Sequence, residues 1–159
     1  MADRQSIEAF LQGPGPVVDV RAPAEFEKGH IPGAQNLPLF SDQERAEVGT
    51  SYKQQGRTAA VQLGLSLVGP KLAFLGEKLQ TLSRSHPGQP LKIHCWRGGM
   101  RSGSIAWLAE TLDLEVVLLE GGYKSYRQWV LALMEQPWPI RLLGGRTGTG
   151  KTDLLMALA

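Results

Sequence analysis

Leu91-Lys92-Ile93-His94-Cys95-Trp96-Arg97-Gly98-Gly99-Met100-Arg101-Ser102 runs from a short apolar stretch through a glycine-rich loop. It leads into the helix-like stretch Ile105-Ala106-Trp107-Leu108-Ala109. A loop of this length between a strand and a helix start directs backbone N–H groups and the positive helix end at one point. An anion bound there is stabilised, and so is the thiolate of Cys95, the single cysteine of the chain. Arg97 and Arg101 add charge that no cellular pH removes. Cys95 is therefore the candidate nucleophile. The candidate anion-binding loop is Trp96, Arg97, Gly98, Gly99, Met100, Arg101 and Ser102.

Working outward, strand-like and helix-like segments alternate. Ser6 to Leu11 has helical character and ends at Gly13-Pro14-Gly15-Pro16, and Val17-Val18-Asp19-Val20 is β-branched enough for a buried strand. Residues from about Ser41 to Leu82 carry apolar positions at helical spacing, interrupted at Gly69-Pro70. After the cysteine loop a helix is expected through Leu112, then a strand at Val116-Val117-Leu118-Leu119, the turn Gly121-Gly122 and a helix to about Met134. Such alternation implies an α/β fold, a central parallel sheet flanked by helices on both faces. Ligands of these sheets sit at the carboxyl ends of strands, where Cys95 falls.

The 159 residues, 42% hydrophobic and 20% charged, suit a globular chain, with one domain of residues 1–136. No membrane-length apolar run and no signal pattern is expected, and a lone thiol fits the reducing cytoplasm. One cysteine excludes a disulfide framework and a cysteine-rich zinc site, and no cluster has metal-ligand spacing. A net charge of +2 does not make the whole chain a polyanion binder. Arg97, Arg101, Lys124 and Arg127 would suit a phosphate-rich partner if they converge; otherwise they are a solvated face.

Pro137-Trp138-Pro139 marks a break. Ile140-Arg141-Leu142-Leu143 reads as a strand, and Gly145 to Thr152 satisfies G-x-x-x-x-G-K-[ST]. Gly145, Gly148, Gly150, Lys151 and Thr152 are thus candidate phosphate-binding residues, for a nucleotide or a diphosphate. Residues 137–159 are expected to open a second, P-loop domain whose remainder lies outside this sequence.

Asp19-Val20-Arg21-x-Pro23-x-Glu25-Phe26-x-x-Gly29-His30-Ile31-Pro32-Gly33-Ala34-x-Asn36 resembles the front signature of rhodanese domains, and Gly121-Gly122 with Trp129 resembles the closing one. Cys95 stands where the sulfur-carrying cysteine of that family stands. A rhodanese domain joined to a Walker loop, with Cys-Trp-Arg-Gly-Gly-Met-Arg-Ser as its active loop, resembles the tRNA 2-selenouridine synthases. That resemblance implies a selenium or sulfur transferase converting the wobble 2-thiouridine of tRNA to 2-selenouridine. Selenophosphate is the implied donor and an S-geranylated intermediate comes from geranyl diphosphate, with no cofactor in the segment itself. It implies tRNA as partner, and a selenophosphate-supplying enzyme as a further one. Cys95 would take the selenium by attacking that atom, while Arg97 or Arg101 holds the phosphate oxygens.

Arg101 lies six positions after Cys95, one more than is usual in sulfur-transferring rhodaneses, so a cysteine-dependent phosphatase shares this signature. A noncatalytic docking module is the third reading. Trp96 is open between stacking on a nucleobase and filling the core. Asp19, Arg21 and Glu25 are expected to support the site, with Arg21 and Glu25 pairing across a helical turn. His30 and His94 read as structural, and Trp107 and Trp129 as core.

Overall fold

In the computed structural model, which describes residues 2–139 and 142–158, five parallel strands form one sheet in the order β1-β5-β4-β2-β3. They are β1 (Asp3–Gln5), β2 (Val17–Asp19), β3 (Gln35–Asn36), β4 (Leu91–His94) and β5 (Val116–Leu119). The helices are α1 (Ile7–Gln12), α2 (Pro23–Glu27), α3 (Asp42–Gln55), α4 (Arg57–Val68), α5 (Leu72–Arg84), α6 (Met100–Thr111), α7 (Gly122–Met134) and α8 (Lys151–Leu158). The expected α/β architecture is the observed one.

Strand side chains alternate between faces, and the period of two sorts this core cleanly. Val18, Leu91, Ile93, Cys95, Val116 and Leu118 join Leu75 and Leu79 of α5 and Ile105 and Ala109 of α6 on one face. Val117 and Leu119 pack with Phe10 of α1 and with Tyr123 and Tyr126 of α7 on the other. Lys92 and His94 belong by alternation to this second face, and both are buried. The Lys92 ammonium donates to the carbonyls of Phe10 (2.9 Å) and Gly13 (2.7 Å), at the C-terminal end of α1. A cation there meets the negative end of the helix dipole. Burial holds its pKa below the ordinary lysine value.

Three sequence expectations need correction. In addition, β1 and β3 form where no strand was expected. Trp107 is 59% exposed rather than core, because Ile105, Ala106, Leu108 and Ala109 already fill the inward side of α6. The run Arg57–Arg84 is long and apolar enough, by length and composition alone, to cross a membrane. It consists of α4 and α5 joined by a 3-10 turn at Gly69–Lys71, and Leu75 and Leu79 seat it on the sheet. Of the strand expected at Ile140–Leu143, Ile140 and Arg141 lie outside the described residues, and Leu142 and Leu143 are not in a strand.

Candidate active site

The loop between β4 and α6 carries Cys95 at its floor, 3% exposed. Its Sγ lies 3.3 Å from Ser102 Oγ, whose single proton goes either to the sulfur or to the Gly99 carbonyl at 3.1 Å. Burial pushes the thiol pKa up. The Ser102 hydroxyl, the amides of Ser102 and Arg97, and the Arg101 charge outweigh burial, so the net position is below the ordinary thiol value. Two loop amides, of Arg97 and Ser102, thus act on the recessed sulfur.

Two glycines let the loop fold this tightly. Gly98 has φ +65°, and a Cβ there would stand 2.8 Å from the Leu119 carbonyl oxygen. Gly122 has φ +62°, and a Cβ there would stand 2.4 Å from the Cys95 carbonyl oxygen and 2.5 Å from Gly98 N. With side chains absent, the turn after β5 hugs the loop. Tyr123 N donates to the Cys95 carbonyl (2.8 Å) and Lys124 N to the Trp96 carbonyl (3.0 Å). From the other direction Arg4 Nη1 donates to the Gly98 carbonyl at 3.0 Å.

The supporting residues are arranged differently from the sequence expectation. Arg21 does not pair with Glu25. It is buried against Asp19, donating from Nε (2.9 Å) and Nη2 (2.5 Å), and its Nη2 also reaches the Gly29 carbonyl at 2.8 Å. Asn36 Nδ2 donates to the carbonyls of Asp19 and Arg21, tying this pair to β3. Glu25 instead accepts from Arg101, at 2.6 Å from Nη1, with Arg45 Nε 3.7 Å away. Burial of Glu25 raises its pKa, but the Arg101 hydrogen bond and charge, the Ala22 amide and Arg45 hold it below the usual carboxylate value. Arg101 is thus moored by Glu25 at the rim of the loop, while Arg97 is exposed.

His94 adjoins the site from below. Its ring is buried between Phe10 and Tyr123, its Nε2 is 3.8 Å from Asp19 Oδ2, and neither ring nitrogen has a hydrogen-bond partner. Burial and Arg21 push its pKa down against the pull of Asp19 and the Cys95 backbone, and the net result lies below the ordinary value. His30 donates from Nδ1 to the Phe26 carbonyl (3.0 Å) and stacks on the Phe26 ring, as a turn-fixing residue does. The two clefts flanking the loop hold about 480 and 510 Å³. Trp96, Tyr123, Lys28 and Arg127 line the first, and Arg101, Arg45, Tyr52 and Lys53 the second. Trp96 is half-buried and faces a cleft, a placement that sequence left open.

Far along the chain, Gly145 to Gly150 forms a loop leading into α8, which opens with Lys151 and Thr152. Lys151 Nζ folds back onto the carbonyls of Gly145 (2.9 Å) and Arg146 (2.6 Å), and Thr149 Oγ1 donates to the Arg146 carbonyl at 2.8 Å. Among the described residues, no group of three or more His, Cys, Asp or Glu side chains could hold a metal ion.

A parallel sheet whose fourth strand ends in an amide-ringed cysteine is the arrangement of a rhodanese-like domain. The chain belongs to that family, whose model matches residues 3–128. It is 45% identical over 162 residues to the tRNA 2-selenouridine synthase of Bordetella bronchiseptica, covering 99% of this chain and 44% of that protein. To the protein of the same name from Sulfurovum sp. it is 49% identical over 150 residues, covering 90% and 40%. The chain therefore spans less than half the length of these curated relatives. Among solved structures, the N-terminal domain of a putative ATP/GTP binding protein from Clostridium difficile 630 superposes with a TM-score of 0.75 at 44% identity. That match covers 81% of this chain and 99% of the other.

Proposed function

We propose that this domain is the chalcogen-handling part of a transferase that places selenium on a tRNA base, as the name of its curated relatives states of them. The observation that carries the reading is the Cys95 sulfur, held toward its thiolate form by two loop amides and the Ser102 hydroxyl. Selenophosphate is the donor. Electron counting decides where the thiolate attacks it. Attack on selenium would expel phosphorus with an extra electron pair, as phosphite. Attack on phosphorus keeps its oxidation state: the S–P bond forms, the Se–P bond breaks, and hydrogen selenide leaves with the pair. Water then releases phosphate from Cys95. Hydrogen selenide adds at C2 of the S-geranylated thiouridine, the C–S bond breaks, and geranylthiolate departs. Attack on phosphorus therefore replaces the attack on selenium that the sequence reading expected.

Residues 137–159 are read as the start of the P-loop domain, with Lys151 and Thr152 holding a nucleotide or the diphosphate of the geranyl donor, in a cytoplasmic enzyme. A phosphatase with an oxygen leaving group is less well supported. Asp19 and Glu25, the carboxylates that support the loop, are each committed to a guanidinium, and Glu25 is held ionised. Neither is placed to donate the proton such a leaving group needs. The test uses thiophosphate as donor, with acid quenching and intact-mass measurement. A phosphoryl adduct on Cys95 with release of sulfide is expected, and Cys95→Ser forms none. A persulfide adduct, or sulfide release unchanged in Cys95→Ser, refutes the assignment.

A further inference from the structure

The first cleft is wider than a tetrahedral donor needs, and its walls are of another chemistry. Trp96 and Tyr123 stand with ring centroids 5.8 Å apart, tilted by 40°. Tyr123 is fixed from two directions. The Arg21 guanidinium lies 3.8 Å from its ring centroid, and its hydroxyl sits where a Cβ on Gly29 would come within 2.7 Å. Arg21 is itself immobilised by Asp19 and the Gly29 carbonyl. An aromatic surface braced in this way loses little freedom when a flat ligand settles on it.

The Glu25 carboxylate, neutralised by Arg101 and Arg45, and two further cations complete the cleft. Lys28, just after α2, and Arg127 of α7 are exposed, line it, and are paired with no carboxylate among the described residues. Three other guanidinium groups are engaged, Arg21 on Asp19 and Arg101 and Arg45 on Glu25, while Arg97 of the loop is exposed. The lining thus combines aromatic faces with free charge at the rim, as surfaces for single-stranded nucleic acid do.

We infer that this cleft seats one unpaired nucleotide of an RNA, its base against Trp96 and Tyr123 and its flanking phosphates on Lys28 and Arg127. The inference rests on the tRNA reading above and adds where the nucleotide lies. Trp96 directly follows Cys95, and the Tyr123 amide holds the Cys95 carbonyl, so the seat abuts the sulfur-bearing loop. A volume of about 480 Å³ is room for a single extruded nucleotide.

The probe is a labelled RNA hairpin with an unpaired, uridine-containing loop, compared by fluorescence anisotropy with a fully paired duplex and with uridine monophosphate as competitor. The hairpin should bind more tightly than the duplex. Trp96→Ala should weaken it by about tenfold or more. Lys28→Ala/Arg127→Ala should weaken it and flatten its salt dependence by about two ion contacts. Thermal melts of each variant separate lost binding from lost folding. Equal binding of hairpin and duplex, or affinity indifferent to Trp96→Ala in a folded variant, overturns the seat. So does a free nucleotide that binds as tightly as the hairpin. The wild-type chain is also treated with thiophosphate alone. An adduct on Cys95 without hairpin binding defeats the seat and spares the transferase reading. Hairpin binding without an adduct does the reverse.

Discussion

Adding one methyl group at Gly122 tests how the loop is built. The new Cβ would stand 2.4 Å from the Cys95 carbonyl oxygen, 2.5 Å from Gly98 N and 2.9 Å from Arg97 N. All three neighbours are backbone, so none can swing aside as a side-chain tip would. Two costs follow. Holding alanine at φ +62° costs roughly 1–2 kcal/mol, and forcing a methyl into filled space roughly 1–3 kcal/mol more. The sum, roughly 2–5 kcal/mol, lowers the Tm by on the order of 10 °C in a domain of this size. Gly33→Ala separates the two costs. Gly33 has φ +77° with nothing within 4 Å of the added atom, so it pays only the dihedral part. Melting by circular dichroism should rank wild type, Gly33→Ala and Gly122→Ala in falling order. The pH profile of Cys95 alkylation by iodoacetamide should move toward an ordinary thiol in Gly122→Ala and stay put in Gly33→Ala. If both variants melt together and both keep the wild-type profile, the turn does not shape the loop and the reasoning fails.

The depressed Cys95 pKa makes stability depend on pH. Between the folded value and the unfolded thiol value of about 8.5, the unfolded chain binds more protons, so stability rises with pH across that interval. The contribution is complete above the unfolded value and disappears as pH falls through the folded one. Urea melts should show this rise in wild type and not in Cys95→Ser; parallel curves would contradict it. Asp19→Asn removes the charge facing a guanidinium that is 1% exposed, and breaking a buried pair from one side costs about 3–5 kcal/mol. A urea midpoint within error of wild type would show that Arg21 finds its compensation elsewhere.

The parts of the fold that sequence revealed are those carried by burial. β4 and β5 are buried along their whole length, and the cysteine loop is one contiguous strand–loop–helix segment. β1 and β3 read as Asp3-Arg4-Gln5 and Gln35-Asn36, short, polar and at the two sheet edges. Ladder hydrogen bonds make them strands, and no hydrophobic pattern reports such bonds. The Arg21–Glu25 pairing failed because α2 begins only at Pro23, which leaves Arg21 outside the helix and free to turn back on Asp19. Glu25 meets Arg101 across 76 residues, a distance that local spacing rules do not reach. The aromatic cleft was legible only as an ambiguity at Trp96, since its other wall comes from α7.

The mooring of the cysteine loop has a temporal side. Its carbonyls are held by Arg4 at the start of the chain and by Tyr123 and Lys124 after β5. β1 itself has no strand to pair with until Val117, Leu118 and Leu119 exist. As the ribosome delivers the polypeptide from its amino end, β1 must wait while helices α1 to α6 are made. A loop whose carbonyls are fastened from β1 and from α7 reaches its final shape only after both have been made.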